Sequence, residues 1–177
     1  MNIAFRPTDY SSDIDCETIA RWHNDPELQR LWVPTRDENQ ALPRVTAQGI
    51  RERSSKLGAY KPAVDEMAML GERVVGQVQI LLNPPHRKST AATVAWPSLI
   101  IGEQSLRGRG VVRRFGERIL TLAKGLNADV IEAAVFEFND PIRRLLGRAQ
   151  FEEFARVENM TVRQGKNWAD IRYRRPL

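Results

Sequence analysis

Residues 102–110 read Gly102-Glu103-Gln104-Ser105-Leu106-Arg107-Gly108-Arg109-Gly110, between a β-rich run that ends near Ile101 and a helical repeat that begins at Val111. Glycines at a strand-to-helix junction let consecutive backbone N–H groups converge on one point, and the helix N-terminus adds roughly half a positive charge there. That arrangement suits a diphosphate. Arg107, Arg109, Arg113, Arg114 and Arg118 crowd into twelve positions with only Glu117 opposing them. Such a cluster attracts further phosphate charge, from a small molecule or from nucleic acid; a solvated helix face accounts for it as well. The segment is not a Walker loop, because no Lys-Ser/Thr pair follows its glycines, and their spacing is not G-x-G-x-x-G. His23 has the chemistry of a general base, but a lone histidine on a helix is as readily a packing residue. Cys16 becomes an acyl carrier only if exposed and activated, and buried filler is the simpler expectation.

These residues belong to a chain of 177, long enough for one domain spanning 1–177 and short for two. An apolar fraction of 42% and a charged fraction of 28% are those of an ordinary globular protein. No stretch approaches the ~20 consecutive apolar residues of a membrane span, and Met1 to Arg6 carry no signal-peptide pattern. Cys16 is the single cysteine, which excludes an internal disulfide and suits a reducing cytoplasm. His23 and His86 lack ligand spacing, so no metal is expected. The net charge of +5 lies entirely in the second part of the chain: residues 1–98 carry 12 basic and 12 acidic side chains, residues 99–177 carry 15 and 10.

Hydrophobic periodicity supplies the elements. A short strand is expected at Ile3–Arg6 and helices at 13–23, 26–32 and, more weakly, 45–56, with a polar loop at 33–44. Tyr60–Leu70 and Val74–Leu82 read as a hairpin about Gly71-Glu72-Arg73. Thr90–Ile101 is the next strand, and Pro97 inside it implies an edge, a bulge or a place where neighbours separate. A helix follows from Val111 to about Lys124, then a strand at 130–138. Asn139-Asp140-Pro141 opens a helix that runs through Ala149. Phe154–Val162 and Trp168–Arg174 close the chain as a strand pair. Strand, helix, strand over 94–138 is a βαβ unit, so those two strands should be parallel. The class is α+β: a mixed, mostly antiparallel central sheet of about six to seven strands with a parallel pair and flanking helices.

Arg107-Gly108-Arg109-Gly110-Val111-Val112 resembles the Arg/Gln-x-x-Gly-x-Gly/Ala loop of the GNAT acetyltransferase superfamily. Downstream, Asn139 followed by Ile142, Leu145 and Phe151 is similar to that family's Asn-x-x-Ala…Leu-Tyr…Gly-Phe helix. Ala20 to Glu27 resembles the opening helix and turn of its RimJ/RimL and spermidine N-acetyltransferase branch. The resemblance implies the acyl-CoA N-acyltransferase fold, in which the parallel pair is splayed. It further implies acetyl-CoA as co-substrate and a primary amine acceptor: a protein N-terminus, polyamine, amino sugar or other small molecule. By the same resemblance, backbone near Leu99, Ile100 and Ile101 holds the thioester carbonyl. Arg107, Gly108, Arg109, Gly110, Val111 and Val112 bind pyrophosphate, Asn139 meets the cofactor arm, and Arg143, with Arg144, reaches the terminal phosphate. Trp32 lies where the family builds its acceptor pocket.

Transfer of the acyl group requires that the amine lose a proton and the oxyanion be stabilised. Glu103, just past the strand, is the candidate base, directly or through water. Two departures bear on the chemistry. Leu146 stands where many members keep a tyrosine as general acid, and Val112 replaces the last small residue of the loop. A thiol of pKa about 8.5 is a tolerable leaving group without that acid. The alternative reading is a CoA-binding module with weak or no transferase activity. A nucleic-acid-binding domain would need aromatics interleaved with the arginines, and only Phe115 lies among them. The chain is expected to act as a monomer or homodimer, away from membranes.

Overall fold

Seven strands share one sheet in the order β1-β2-β3-β4-β5-β7-β6 in a computed structural model that describes residues 2–56 and 61–177. They are β1 (Ala4–Pro7), β2 (Val64–Leu70), β3 (Arg73–Leu82), β4 (Val94–Ile101), β5 (Val130–Phe136), β6 (Glu152–Arg163) and β7 (Lys166–Pro176). All neighbours are antiparallel except β4 and β5. The helices are α1 (Asp13–His23), α2 (Pro26–Trp32), α3 (Ala47–Lys56), α4 (Val111–Gly125) and α5 (Asp140–Arg148). Among the described residues no helix is long and apolar enough to cross a membrane.

Local chemistry sets most element ends. Ser12 caps α1, its side chain accepting from the Asp15 N–H, and Asp25 caps α2 by accepting from the Glu27 N–H with Pro26 in the first turn. Alternation then divides the sheet into two faces. Ala68, Val75, Val78, Ile80, Ala95 and Ile131 pack against Phe115, Ile119 and Ala123 of α4. Met67 and Met69 of β2 and Ile100 of β4 pack on the opposite face against Cys16, Ile19 and Trp22 of α1 and Ile50 of α3. Val135, Ala169, Ile171 and Tyr173 meet Ile142 and Leu146 of α5.

Several ends differ from the periodic reading, and each has a visible cause. The strand expected from Thr90 starts at Val94, because the N–H groups of Lys88 and Ser89 go to the Glu132 carboxylate and that of Thr93 to Asp129. The helix expected from Val45 starts at Ala47, since the Asn24 side chain holds both backbone groups of Val45. The strand expected to reach Phe138 ends at Phe136, where the Asn139 N–H turns back to the Phe136 carbonyl at 2.8 Å. The last hairpin is longer than expected, closed tightly by Gln164 and Gly165, both at positive φ. Tyr60, proposed to open the first hairpin arm, lies outside the described residues; the strand itself begins at Val64.

Candidate active site

The parallel ladder between β4 and β5 has two register pairs, Val94 with Val130 and Ala95 with Ile131, whereas β4 stays paired with β3 as far as Ile101. Beyond Ala95 the two parallel strands separate. Pro97 stands at the point of separation and has no N–H to leave unpaired. Backbone polar groups alternate sides along a strand. The Thr93 carbonyl accepts from Asp129 on the β5 side, and the Val94 carbonyl accepts from Asn83 on the other. The Gly102 N–H bonds to Val75 of β3 at 3.0 Å, in the same phase as Val94. Leu99 and Ile101 therefore direct their backbone groups into the opening. Ile100 belongs to the opposite phase and contributes its side chain to the packing of α1 and α3.

At the C-terminal end of β4 the chain enters the glycine loop through a short 3-10 turn, Gln104–Leu106. Gly102 sits directly against the Trp22 ring, where an added Cβ would come within 1.9 Å of it. Gly108 and Gly110 take φ of 76° and 75°, left-handed values that glycine adopts without steric cost and that bend the chain into the start of α4. Nothing lies within 4 Å of a Cβ built on either, so the loop opens to free space. Gly110 is the N-cap of α4 and has no side chain to occupy the first-turn amides of Val111 and Val112. A pocket of about 300 Å3 in front of them is lined by Ile3, Arg109, Gly110, Val111, Arg113 and Arg114. This cradle fits a diphosphate.

The structure divides the five arginines. The Arg109 backbone N–H bonds to the Leu106 carbonyl at 3.4 Å, but its guanidinium makes no hydrogen bond or ion pair among the described residues. Arg113 and Arg114 share Glu117 at 2.8 and 3.1 Å and stay largely exposed. Arg118 instead makes a two-pronged pair with Glu66 of β2, and Arg107 is consumed internally. Its guanidinium donates to the carbonyls of Ile101 and Gly102 at 3.1 Å and pairs with Asp25 and Glu27 at 3.2 and 3.3 Å, tying the loop to α2. Arg143 is likewise engaged, donating to the Tyr173 hydroxyl and the Glu137 carbonyl. The Asn139 side chain, at the N-terminus of α5, caps nothing. Leu146 packs in the α5 core, so no hydroxyl stands there.

Glu103 lies on the β3 side of the loop, paired with Arg21 of α1 at 3.1 Å and with Arg73 of β3. Burial alone would raise its carboxyl, but the two guanidinium groups outweigh this and hold it below the usual carboxylate range. Burial, assisted by Arg53, lowers the His23 imidazole to about 4, and its ring meets Trp32 edge-on at 4.6 Å. Trp32 ends α2, is 42% exposed, and lies on the helix that crosses β5. The following segment reaches β6, where Thr35 bonds Thr161 and Val162. Cys16 is fully buried, with burial pushing its thiol up.

Sequence reasoning missed a buried charged cluster on the α1–α3 face. Arg172 of β7 pairs with Asp170 at 3.1 Å, lies 3.9 Å from Glu132 of β5, and stacks under the Trp96 ring at 4.8 Å. Its Nε and Nη1 are buried without a hydrogen-bond partner. The signal was present in the period of two: Asp170 and Arg172 alternate with Ala169, Ile171 and Tyr173, which places both charges on one face.

Comparison with known proteins follows the same outline. A family model described as an acetyltransferase (GNAT) domain matches residues 3–152. A solved protein assigned as a phosphinothricin N-acetyltransferase superposes with a TM-score of 0.76 at 20% identity, covering 99% of each chain. A ribosomal-protein-alanine N-acetyltransferase from Brucella melitensis gives 0.74 at 15% identity, over 98% of this chain and 99% of the other. The Salmonella typhimurium protein yncA, solved with acetyl-CoA, gives 0.72 at 15% identity, over 99% and 94%. At such identities the likeness is one of fold. No curated protein matches significantly.

Proposed function

This chain belongs to the acetyltransferase (GNAT) domain family, and from that premise we propose that it moves an acetyl group from acetyl-CoA to a primary amine. The observation that carries this reading is the separation of β4 and β5 after Ala95, with the glycine cradle at the start of α4 following β4 in the chain. Bound acetyl-CoA supplies an activated acyl carbon. The chain's part is to hold and orient. The amides of Gly108, Gly110, Val111 and Val112, the helix terminus and the unpaired Arg109 guanidinium bind the diphosphate; Arg113 and Arg114 add charge beside it. The Leu99 N–H, unpaired in the opening, donates to the acyl oxygen, where developing negative charge is best stabilised by a fixed dipole. The free Asn139 amide meets the cofactor arm. Arg107 acts through its backbone and by shaping the loop, and Arg143 by fixing α5 to β7.

The amine enters from the α1–α3 face, beside α2, which contacts β5 and ends at the exposed Trp32. The sequence proposes Glu103 as base. Held ionised by two arginines, it can take a proton only by giving up one of them, and we assign it to anchoring the loop. The fold likeness to a ribosomal-protein-alanine N-acetyltransferase supports the RimJ/RimL-like branch and a peptide N-terminus as one acceptor. The packed Leu146 favours a second reading, a module that holds CoA without transfer. One experiment separates them. Acetyl-CoA is titrated by calorimetry, and free thiol is followed with spermidine, glucosamine and an alanyl peptide. Binding with thiol release supports transfer, binding without release supports the module, and no binding removes both.

A further inference from the structure

We propose that Asp170, on the far side of the opening between β4 and β5, accepts the proton of the acceptor's ammonium group; the inference rests on the transferase reading above. Register supports the location. The β4–β5 ladder pairs Ala95 with Ile131, so counting along both strands brings Phe136 level with Ile100. Phe136 is the β5 partner of Asp170. The carboxylate thus stands two strands across from the end of β4, level with the backbone groups of Leu99 and Ile101. It also stands on the α1–α3 face, because Arg172, two residues on and on the same side, reaches the Trp96 ring of β4 across the opening.

Charge supports the role. Glu132 is fully buried and spends its oxygens on the backbone N–H groups of Lys88 and Ser89 at 2.7–3.1 Å. Asp170 has one close ionic partner, Arg172, at 3.1 Å. Two carboxylates therefore face one guanidinium in a nearly dry setting; His86, edge-on to Trp96 at 4.4 Å, also feels Arg172 and Glu132, and burial holds its imidazole below the usual range, toward the neutral form. Such a cluster is one positive charge short, and a buried unbalanced charge draws a counter-ion or a proton. An ammonium acceptor is that counter-ion. Arg172, pinned between Trp96 and the carboxylates, positions Asp170. Burial pushes the Asp170 carboxyl up against the pull of Arg172, which brings its basicity toward that of a useful base. The side chain is buried but not sealed, with 9% of its surface exposed.

In the step, one N–H bond of the ammonium breaks and its proton goes to the Asp170 carboxylate. The freed nitrogen lone pair forms the C–N bond at the acyl carbon, the C–S bond breaks with its electron pair on sulfur, and the second amine proton ends on that sulfur as thiol. Asp170 then returns its proton to water.

The test compares Asp170→Asn with wild type, using the best acceptor among spermidine, glucosamine and an alanyl peptide. The groups facing the site are Arg172, Glu132 and His86. Acetyl-CoA affinity by calorimetry should be unchanged, and affinity for the protonated amine should fall about tenfold. Near neutral pH kcat should fall about 100-fold or more, within the usual range for a general base. Above the amine's own pKa, near pH 10 for an alkylamine, the acceptor arrives neutral and the deficit should close to under about tenfold. A deficit equal at every pH, a kcat within threefold of wild type, or a wild type that binds acetyl-CoA yet acetylates none of the three amines overturns the proposal. Should the Asn variant lose acetyl-CoA binding through misfolding, Asp170→Glu decides. It keeps the carboxylate and should retain at least a tenth of the rate, and a Glu variant that folds but is inactive also overturns it. A wild type that fails to bind acetyl-CoA refutes the underlying reading instead.

Discussion

Gly110 offers a clean way to separate backbone strain from anion binding. Its φ of 75° is left-handed, a conformation that costs an L-residue about 1–2 kcal/mol. A Cβ there meets nothing within 4 Å, so no steric term is added. Gly110→Ala should therefore lower the melting temperature by about 2–8 °C, at 2–4 °C per kcal/mol for a chain of this size. The strain is present with and without ligand, so acetyl-CoA affinity should barely move. Gly110→Asp adds the same strain plus a carboxylate at the mouth of the cradle. At ~5 Å and an effective dielectric of ~20, its repulsion is about 3 kcal/mol per unit of phosphate charge. Binding should then be weakened about 100-fold or more relative to the Ala variant. Calorimetric titration of acetyl-CoA into both variants, beside their thermal melts, reads the two terms separately. If Ala and Asp bind equally well, the diphosphate does not sit at the start of α4 and the reasoning fails.

Other outcomes follow from the same contacts. Gly102→Ala drives a methyl into the Trp22 ring and should cost about 1–3 kcal/mol, read as a lower urea midpoint and an altered near-UV tryptophan spectrum. Arg109→Ala should weaken acetyl-CoA about tenfold at low salt with stability within about 0.5 kcal/mol of wild type. Arg118→Ala should do the reverse, because it strands the buried Glu66 at a cost of about 2 kcal/mol or more while leaving the cradle intact. For Glu103 the folded carboxyl lies below its unfolded value of about 4.3, so its contribution is present above that pH and is lost as pH falls through the folded value. Both arginine partners are largely exposed, which limits the effect to about 1 kcal/mol or less. Glu103→Gln should be less stable than wild type by that amount at pH 7, and the two urea curves should converge as pH falls below the folded value; a gap that persists in acid would show that the loss is not ionic.

The sheet, its parallel pair and the helix order were legible because amphipathic period, caps and turn residues act over a few positions. Pro97 marked the separation of β4 and β5, and Gly108 and Gly110 marked the left-handed turns. What the pattern could not assign was the destination of each charge. The element ends that moved did so for that reason: Glu132 and Asp129 withdraw the N–H groups before Val94 from the ladder, and both lie more than thirty residues away.

The chain's own order of residue types thus specifies a strand running into a glycine loop and a helix terminus, a device built from neighbours along the backbone. Only tertiary packing decides which cations remain free to use it. Arg107 meets Asp25 across 82 positions and Arg118 meets Glu66 across 52, while Arg109, two residues from Arg107, is left facing open space. Hydrogen-bond caps and alternation are settled locally, but a long charged side chain takes its partner from whatever distant segment the fold brings within ~4 Å, and the burial of Asp170 beside Arg172 and Glu132 exists only once β5 and β7 have been laid side by side.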